Sequence, residues 1–117
     1  MSYLSNYLRS NRKRLALSQA DVAFLLGSQS GAKVCRYERF VREPNLLTAL
    51  ALAVIFKKPL EELFTGMYRK VEREISARAK ALSYRLERKA PTWQIRRRQE
   101  TLTDLVAAST GKPRNLS

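Results

Sequence analysis

An all-α fold is predicted for this chain of 117 residues: a five-helix domain followed by a C-terminal helical hairpin. Three observations predict it. Two short apolar-patterned segments, Gln19–Leu26 and Ser30–Glu38, flank a turn at Gly27. An eleven-residue apolar run, Leu46–Phe56, lies between Pro44 and Pro59 and is broken only by Thr48. Beyond Gly66, residues Tyr68, Val71, Ile75, Ala79, Leu82 and Leu86 recur at spacings of 3, 4, 4, 3 and 4, a narrow seam that needs one partner helix. The expected division is a domain over residues 1–66, a basic amphipathic hairpin over 67–108 and a polar tail over 109–117.

Each element has a local reason. Helix 1 is expected from Ser2 or Tyr3 to Leu15, with Leu4, Leu8 and Leu15 on its apolar face, and Ala16-Leu17 forms the connection. Ser18 can cap helix 2 by accepting an otherwise unpaired backbone N–H; Val22, Ala23, Leu25 and Leu26 are expected to face inward. Gly27 supplies the left-handed residue that ends this helix, and Ser30 caps helix 3. Val34 and Tyr37, three apart, anchor helix 3; its other face holds Gly31, Ala32, Lys33, Cys35 and Arg36. Arg39–Glu43 forms a loop. Helix 4 starts at Pro44 or Asn45 and, apolar on nearly all sides, is expected to be buried. Pro59–Phe64 forms a short fifth helix, and Thr65-Gly66 ends the domain. Pro91 stops the long basic helix Met67–Lys89. Thr92 can cap a last helix, Trp93–Ala108, striped by Ile95, Leu102, Leu105 and Val106.

Composition bounds the function. There are 23 Lys and Arg against 10 Asp and Glu, a formal charge of +13. That excess implies a polyanionic partner, nucleic acid first and an anionic membrane surface second. Both halves contribute: ten cations against five anions up to Gly66, and thirteen against five beyond it. The chain lacks histidine and has a single cysteine, Cys35, which removes His-based catalysis, most zinc sites and any internal disulfide. No enzyme activity, cofactor or metal is expected. The N-terminus has no apolar core after its charges and does not read as a signal peptide, and the run Leu46–Phe56 would make a helix of roughly 16 Å, too short for a bilayer. A soluble protein in a reducing cytoplasm is expected, without membrane association.

The order of helices, with Arg12, Ser18-Gln19, Ala23, Leu26-Gly27, Val34, Tyr37-Glu38, Pro44 and the stretch LEELF, resembles the Cro/cI-type (XRE-like) helix-turn-helix domain over about residues 4–64. The resemblance implies a lambda-repressor-like fold and sequence-specific binding of double-stranded DNA as a transcriptional regulator, a repressor before an activator. It places helix 3 in the major groove. Lys33 and Arg36 would read bases, with Ala32 against a thymine methyl and Gln29 reaching from the turn or simply exposed there. Gln19, Ser30, Gly31, Arg39 and Arg42 would meet phosphates, Gly31 by close backbone approach. Arg12 and Glu38 would form a structural ion pair.

Two departures stand out. Gly27 to Glu38 is one residue longer than the family's usual spacing, so either the turn around Ser28-Gln29 is longer or helix 3 starts earlier. Phe40 occupies a position where the family has glycine. A left-handed residue is costly for Phe, so the loop is expected to take another path, with Phe40 under helix 4. One short module makes few base contacts, so a homodimer on a palindromic site is expected. It would be held by the C-terminal helices or, second, by the helix 4–5 surface. The alternative is an antitoxin-like protein that binds its own promoter and engages a protein partner through the C-terminal helices.

Overall fold

The computed structural model describes residues 6–28 and 30–109. The described residues form seven helices and no strand: α1 (Leu8–Arg14), α2 (Gln19–Leu25), α3 (Gly31–Glu38), α4 (Leu46–Phe56), α5 (Leu60–Leu63), α6 (Thr65–Glu87) and α7 (Trp93–Ser109). They divide into two compact units, one reaching to Tyr68 and one from Arg69.

The first unit closes on a core of Leu8, Val22, Ala23, Val34, Tyr37, Leu52, Phe56, Leu63 and Phe64. Each of α1 to α5 contributes at least one of these residues, so no helix is stable without the others. Among the described residues, α1 begins at Leu8 rather than near the N-terminus; Leu4 and residues 1–5 lie outside them. Asn6 explains the start: its Oδ1 accepts the Leu8 N–H at 3.1 Å, and its Nδ2 donates to the Tyr37 carbonyl at 3.1 Å. The Tyr7 N–H donates to the Leu63 carbonyl at 2.8 Å, tying the same point to α5. Ser18 caps α2 as the residues suggest, in a reciprocal box: Ser18 Oγ accepts the Asp21 N–H at 3.0 Å, and Asp21 Oδ2 accepts the Ser18 N–H at 2.8 Å. Asn45 caps α4 by accepting the Thr48 N–H at 2.9 Å.

Several expectations are corrected. Leu15 and Leu25 are exposed, because each stands at a helix end, turned away from the core that Leu8 and Val22 enter. Helix α4 is apolar all round but covered on one side only. Leu52 and Phe56 are buried, while Leu46, Leu47, Leu50 and Val54 are exposed. Thr65-Gly66 does not end the domain; it opens α6, after a break at Phe64.

Phe40 does take the left-handed conformation, at φ 55, and is half-buried. The reason is the way α3 ends: the Phe40 N–H donates to the Tyr37 carbonyl at 3.1 Å and the Val41 N–H to the Arg36 carbonyl at 2.9 Å. This pair of bonds satisfies carbonyls that a helix end leaves open, and it requires a positive φ between them. Helices α1 and α2 end in the same way, at Ala16 (φ 60) and Gly27 (φ 77), and α4 ends on Lys57 at φ 54. Only one of the four positions is glycine, so three carry a steric cost of about 1–2 kcal/mol each.

In the second unit α6 and α7 pack through Ala79, Leu86 and Leu102, flanked by Ile95 and Val106. Ser83 Oγ donates to Gln99 Oε1 at 2.5 Å and Gln99 Nε2 returns a bond to the Ser83 carbonyl at 3.1 Å. The seam of α6 is only partly covered: Val71, Ile75 and Leu82 stay exposed, as do Leu105 of α7 and Trp93, which is 71% exposed. The spacing predicts one apolar face but not its width, and α7 packs on the part of it marked by Ala79 and Leu86.

Candidate nucleic-acid interface

Helix α3 is held against α2 by two devices. The first is Gly31. A Cβ there would lie 3.3 Å from the Ala20 backbone nitrogen and 3.4 Å from the Gln19 carbonyl carbon, so glycine lets the first turn of α3 meet the backbone of α2. This gives Gly31 a role inside the fold, beside the approach to phosphate expected of it. The second is Glu38 at the other end of α3. Its Oε2 accepts from Arg12 Nε at 2.5 Å, and its Oε1 accepts from Arg12 Nη2 and from Gln19 Nε2, both at 3.2 Å. The Arg12 and Glu38 side chains are only 11% and 4% exposed. Arg12 Nη1 also donates to the Leu17 carbonyl at 3.0 Å. The hydrogen-bonded carboxylate raises the Arg12 guanidinium further above its already high ordinary value, against the opposing effect of burial. One carboxylate thus joins α1, α2 and α3. Gln19, expected at phosphate, has its amide turned onto that carboxylate.

With Val34 and Tyr37 buried, the opposite side of α3 is the row Ala32, Arg36 and Arg39, all exposed, at helical spacings of four and three. Lys33 and Cys35 flank it, half-buried. Among the described residues, Lys33, Arg36, Arg39 and Arg42 form no ion pair, so their charges face outward. Ser30 precedes α3 in extended conformation but makes no side-chain cap bond; its own N–H donates to Ser28 Oγ at 3.3 Å. Helix α2 ends at Leu25 and α3 begins at Gly31, rather than earlier; Gln29, between them, lies outside the described residues.

A shallow depression of about 320 Å³ adjoins this row, lined by Arg9, Arg12, Gln19, Cys35, Glu38 and Arg39. Since Glu38 is already engaged with Arg12, the free charge at its rim is that of Arg9 and Arg39, which is positive. The sequence motifs do not single out Arg9. Its position three residues before Arg12, on the same side of α1, is the signal that would have found it. A second unexpected link is Arg14, whose Nη2 donates to the Phe56 carbonyl at 3.1 Å, a cation at the C-terminal end of α4.

Among the described residues no group of three or more His, Cys, Asp or Glu could hold a metal ion, and no helix is long and apolar enough to cross a membrane. Comparison with protein-family models, with curated proteins and with solved structures returned no match.

Proposed function

We propose that this protein binds double-stranded DNA sequence-specifically as a transcriptional regulator, with the first unit acting as a Cro/cI-type helix-turn-helix domain and the second as a helical hairpin. The observation that carries the reading is the unpaired cationic row on α3, on a helix whose two ends are fastened to α2 by Gly31 and Glu38. A helix that reads bases must enter the major groove, about 12 Å wide, without tilting on its support. Arg36 is the first base reader, with Lys33 at the flank; both can donate to guanine O6 and N7. Ala32 offers a methyl-sized contact. Arg39, Arg42 and Arg9 bind phosphates on either side, and Arg12, Gln19 and Glu38 keep the geometry. Repression follows when the bound site overlaps a promoter, and two copies on a palindrome supply the specificity one short helix lacks.

The test is binding to a duplex selected from a random library. Arg36→Ala and Lys33→Ala should each cost about 1–3 kcal/mol and relax preference at one base pair. Log affinity should fall with log salt by about 0.9 for each phosphate neutralised. A flat salt response, or two variants that bind like wild type, refutes the reading. A second reading keeps the promoter binding and adds a protein partner on the second unit, favoured by the uncovered flank Val71, Ile75 and Leu82 of α6. A small toxin-like gene transcribed with this one would single it out.

A further inference from the structure

We propose that the turn end of the α6–α7 hairpin binds single-stranded nucleic acid, with phosphates on its arginines and lysine and bases stacked on Trp93. Charge concentrates where these two helices turn. Residues 85–98 hold six cations, Arg85, Arg88, Lys89, Arg96, Arg97 and Arg98, against the single anion Glu87, and all six are exposed. Residues 69–84 and 99–109 together hold five cations against four anions, so the excess of this unit is local. Two of the six are engaged: Arg96 Nη2 donates to the Pro91 carbonyl at 3.1 Å, and Arg97 Nη1 to Glu100 Oε2 at 3.2 Å. Among the described residues Arg85, Arg88, Lys89 and Arg98 form no ion pair. Like charges gathered in this way repel one another, and a polyanion relieves the repulsion.

The aromatic rings select the kind of polyanion. Trp93 is 71% and Tyr84 73% exposed. Each has an arginine four residues further along the chain: Arg97 within α7 for Trp93, and Arg88 just past the end of α6 for Tyr84. Side chains at that spacing are neighbours on a helix. Tyr84, Arg85, Glu87 and Arg88 line a depression of about 440 Å³. A wet ring beside a cation is the arrangement on which an unpaired base stacks while its phosphate is held, and it serves any base, since each has a π-face. In a duplex those faces are covered by the neighbouring pairs, whereas a single strand can splay them out. An anionic membrane surface fits less well, because a helix lying in one needs a broad apolar face. Ile95, the other large apolar residue in the first turn of α7, is packed on the hairpin core.

This site shares no residue with the row on α3 and lies in the other unit, so either can fail alone. Trp93 is the chain's one tryptophan, and its emission in the full chain therefore reports this site by itself. Oligothymidylate of about 16 nucleotides should quench that emission saturably, and oligouridylate of the same length tells whether RNA does so too. Quenching by either strand supports the proposal, and quenching by neither refutes it. A duplex and an abasic strand of the same length offer phosphates without open base faces; if either quenches as well as thymidylate, the stacking is refuted. A blue shift on vesicles of phosphatidylglycerol, with no response to either oligonucleotide, overturns the proposal in favour of a membrane surface. Log affinity should fall with log salt by about 0.7 for each phosphate held. The double variant Arg88→Gln, Lys89→Gln, at exposed positions, should keep the circular dichroism of wild type and lower that slope by about 1.4. Arg36→Ala should leave the quenching curve as it is. A double variant with the wild-type slope, or quenching that disappears with Arg36→Ala, refutes the assignment to the hairpin.

Discussion

Replacing Glu38 with alanine should unfasten all three helices it joins. The substitution removes the acceptor of three hydrogen bonds and leaves the Arg12 guanidinium, 11% exposed, without its counter-charge. Breaking a buried pair from one side costs about 3–5 kcal/mol, most of it the penalty for the stranded charge. At about 0.05–0.15 kcal/mol per residue, the first unit has only about 3–10 kcal/mol of stability in total. For a unit of this size 1 kcal/mol is about 4–8 °C, so the melting transition of the first unit should fall by roughly 12 °C or more. Circular dichroism of the full chain would follow it, with tyrosine near-ultraviolet signal reporting the core around Tyr37. The double variant Arg12→Met, Glu38→Met removes both charges and should lose much less than the sum of the single changes. A shift below about 4 °C for Glu38→Ala, or a double variant whose loss equals that sum, would show that the carboxylate is not the fastening described here.

Ala16→Gly should raise Tm by a few degrees: the left-handed strain at φ 60 is about 1–2 kcal/mol, and the extra freedom glycine has in the unfolded chain returns about 0.4–1 of it. An unchanged or lower Tm would mean that Ala16 is unstrained. The Asp21 carboxyl is held below its ordinary value by bonds from the Ser18 backbone and hydroxyl. Its capping contribution is therefore complete above the ordinary carboxylate range and is lost as pH falls through the lowered value. Amide exchange in the first turn of α2 should quicken over that acidic window, and Asp21→Asn should flatten the response; a wild-type profile in that variant would contradict the assignment.

The parts of this fold that were legible in the sequence are those decided within one turn of helix. Ser18 and Asp21 cap because they stand three apart, Gly27 ends α2, and Val34 with Tyr37 marks the inner side of α3. From that inner side the row of Arg36 and Arg39 follows by periodicity alone. What escaped was decided at a distance or by absence. The bond from Gln19 to Glu38 spans nineteen positions, and its amide could as well have faced solvent. An apolar run such as Leu46–Phe56 has no polar side to orient it, so which face meets the core depends on α1, α3 and α5 rather than on α4 itself. Intrinsic preference disfavours the left-handed conformation at Phe40, and the hydrogen bonds that close α3 override it.

The position of Trp93 governs what a spectroscopist would see. It is the chain's one tryptophan, it belongs to the second unit, and it is 71% exposed at the start of α7. A ring that is already wet in the native protein changes its surroundings little on unfolding. Its emission would pass almost silently through the melting of the nine-residue core of the first unit. Tyr37, 4% exposed and seated in that core, is the chromophore whose environment is lost when α3 comes away from α2.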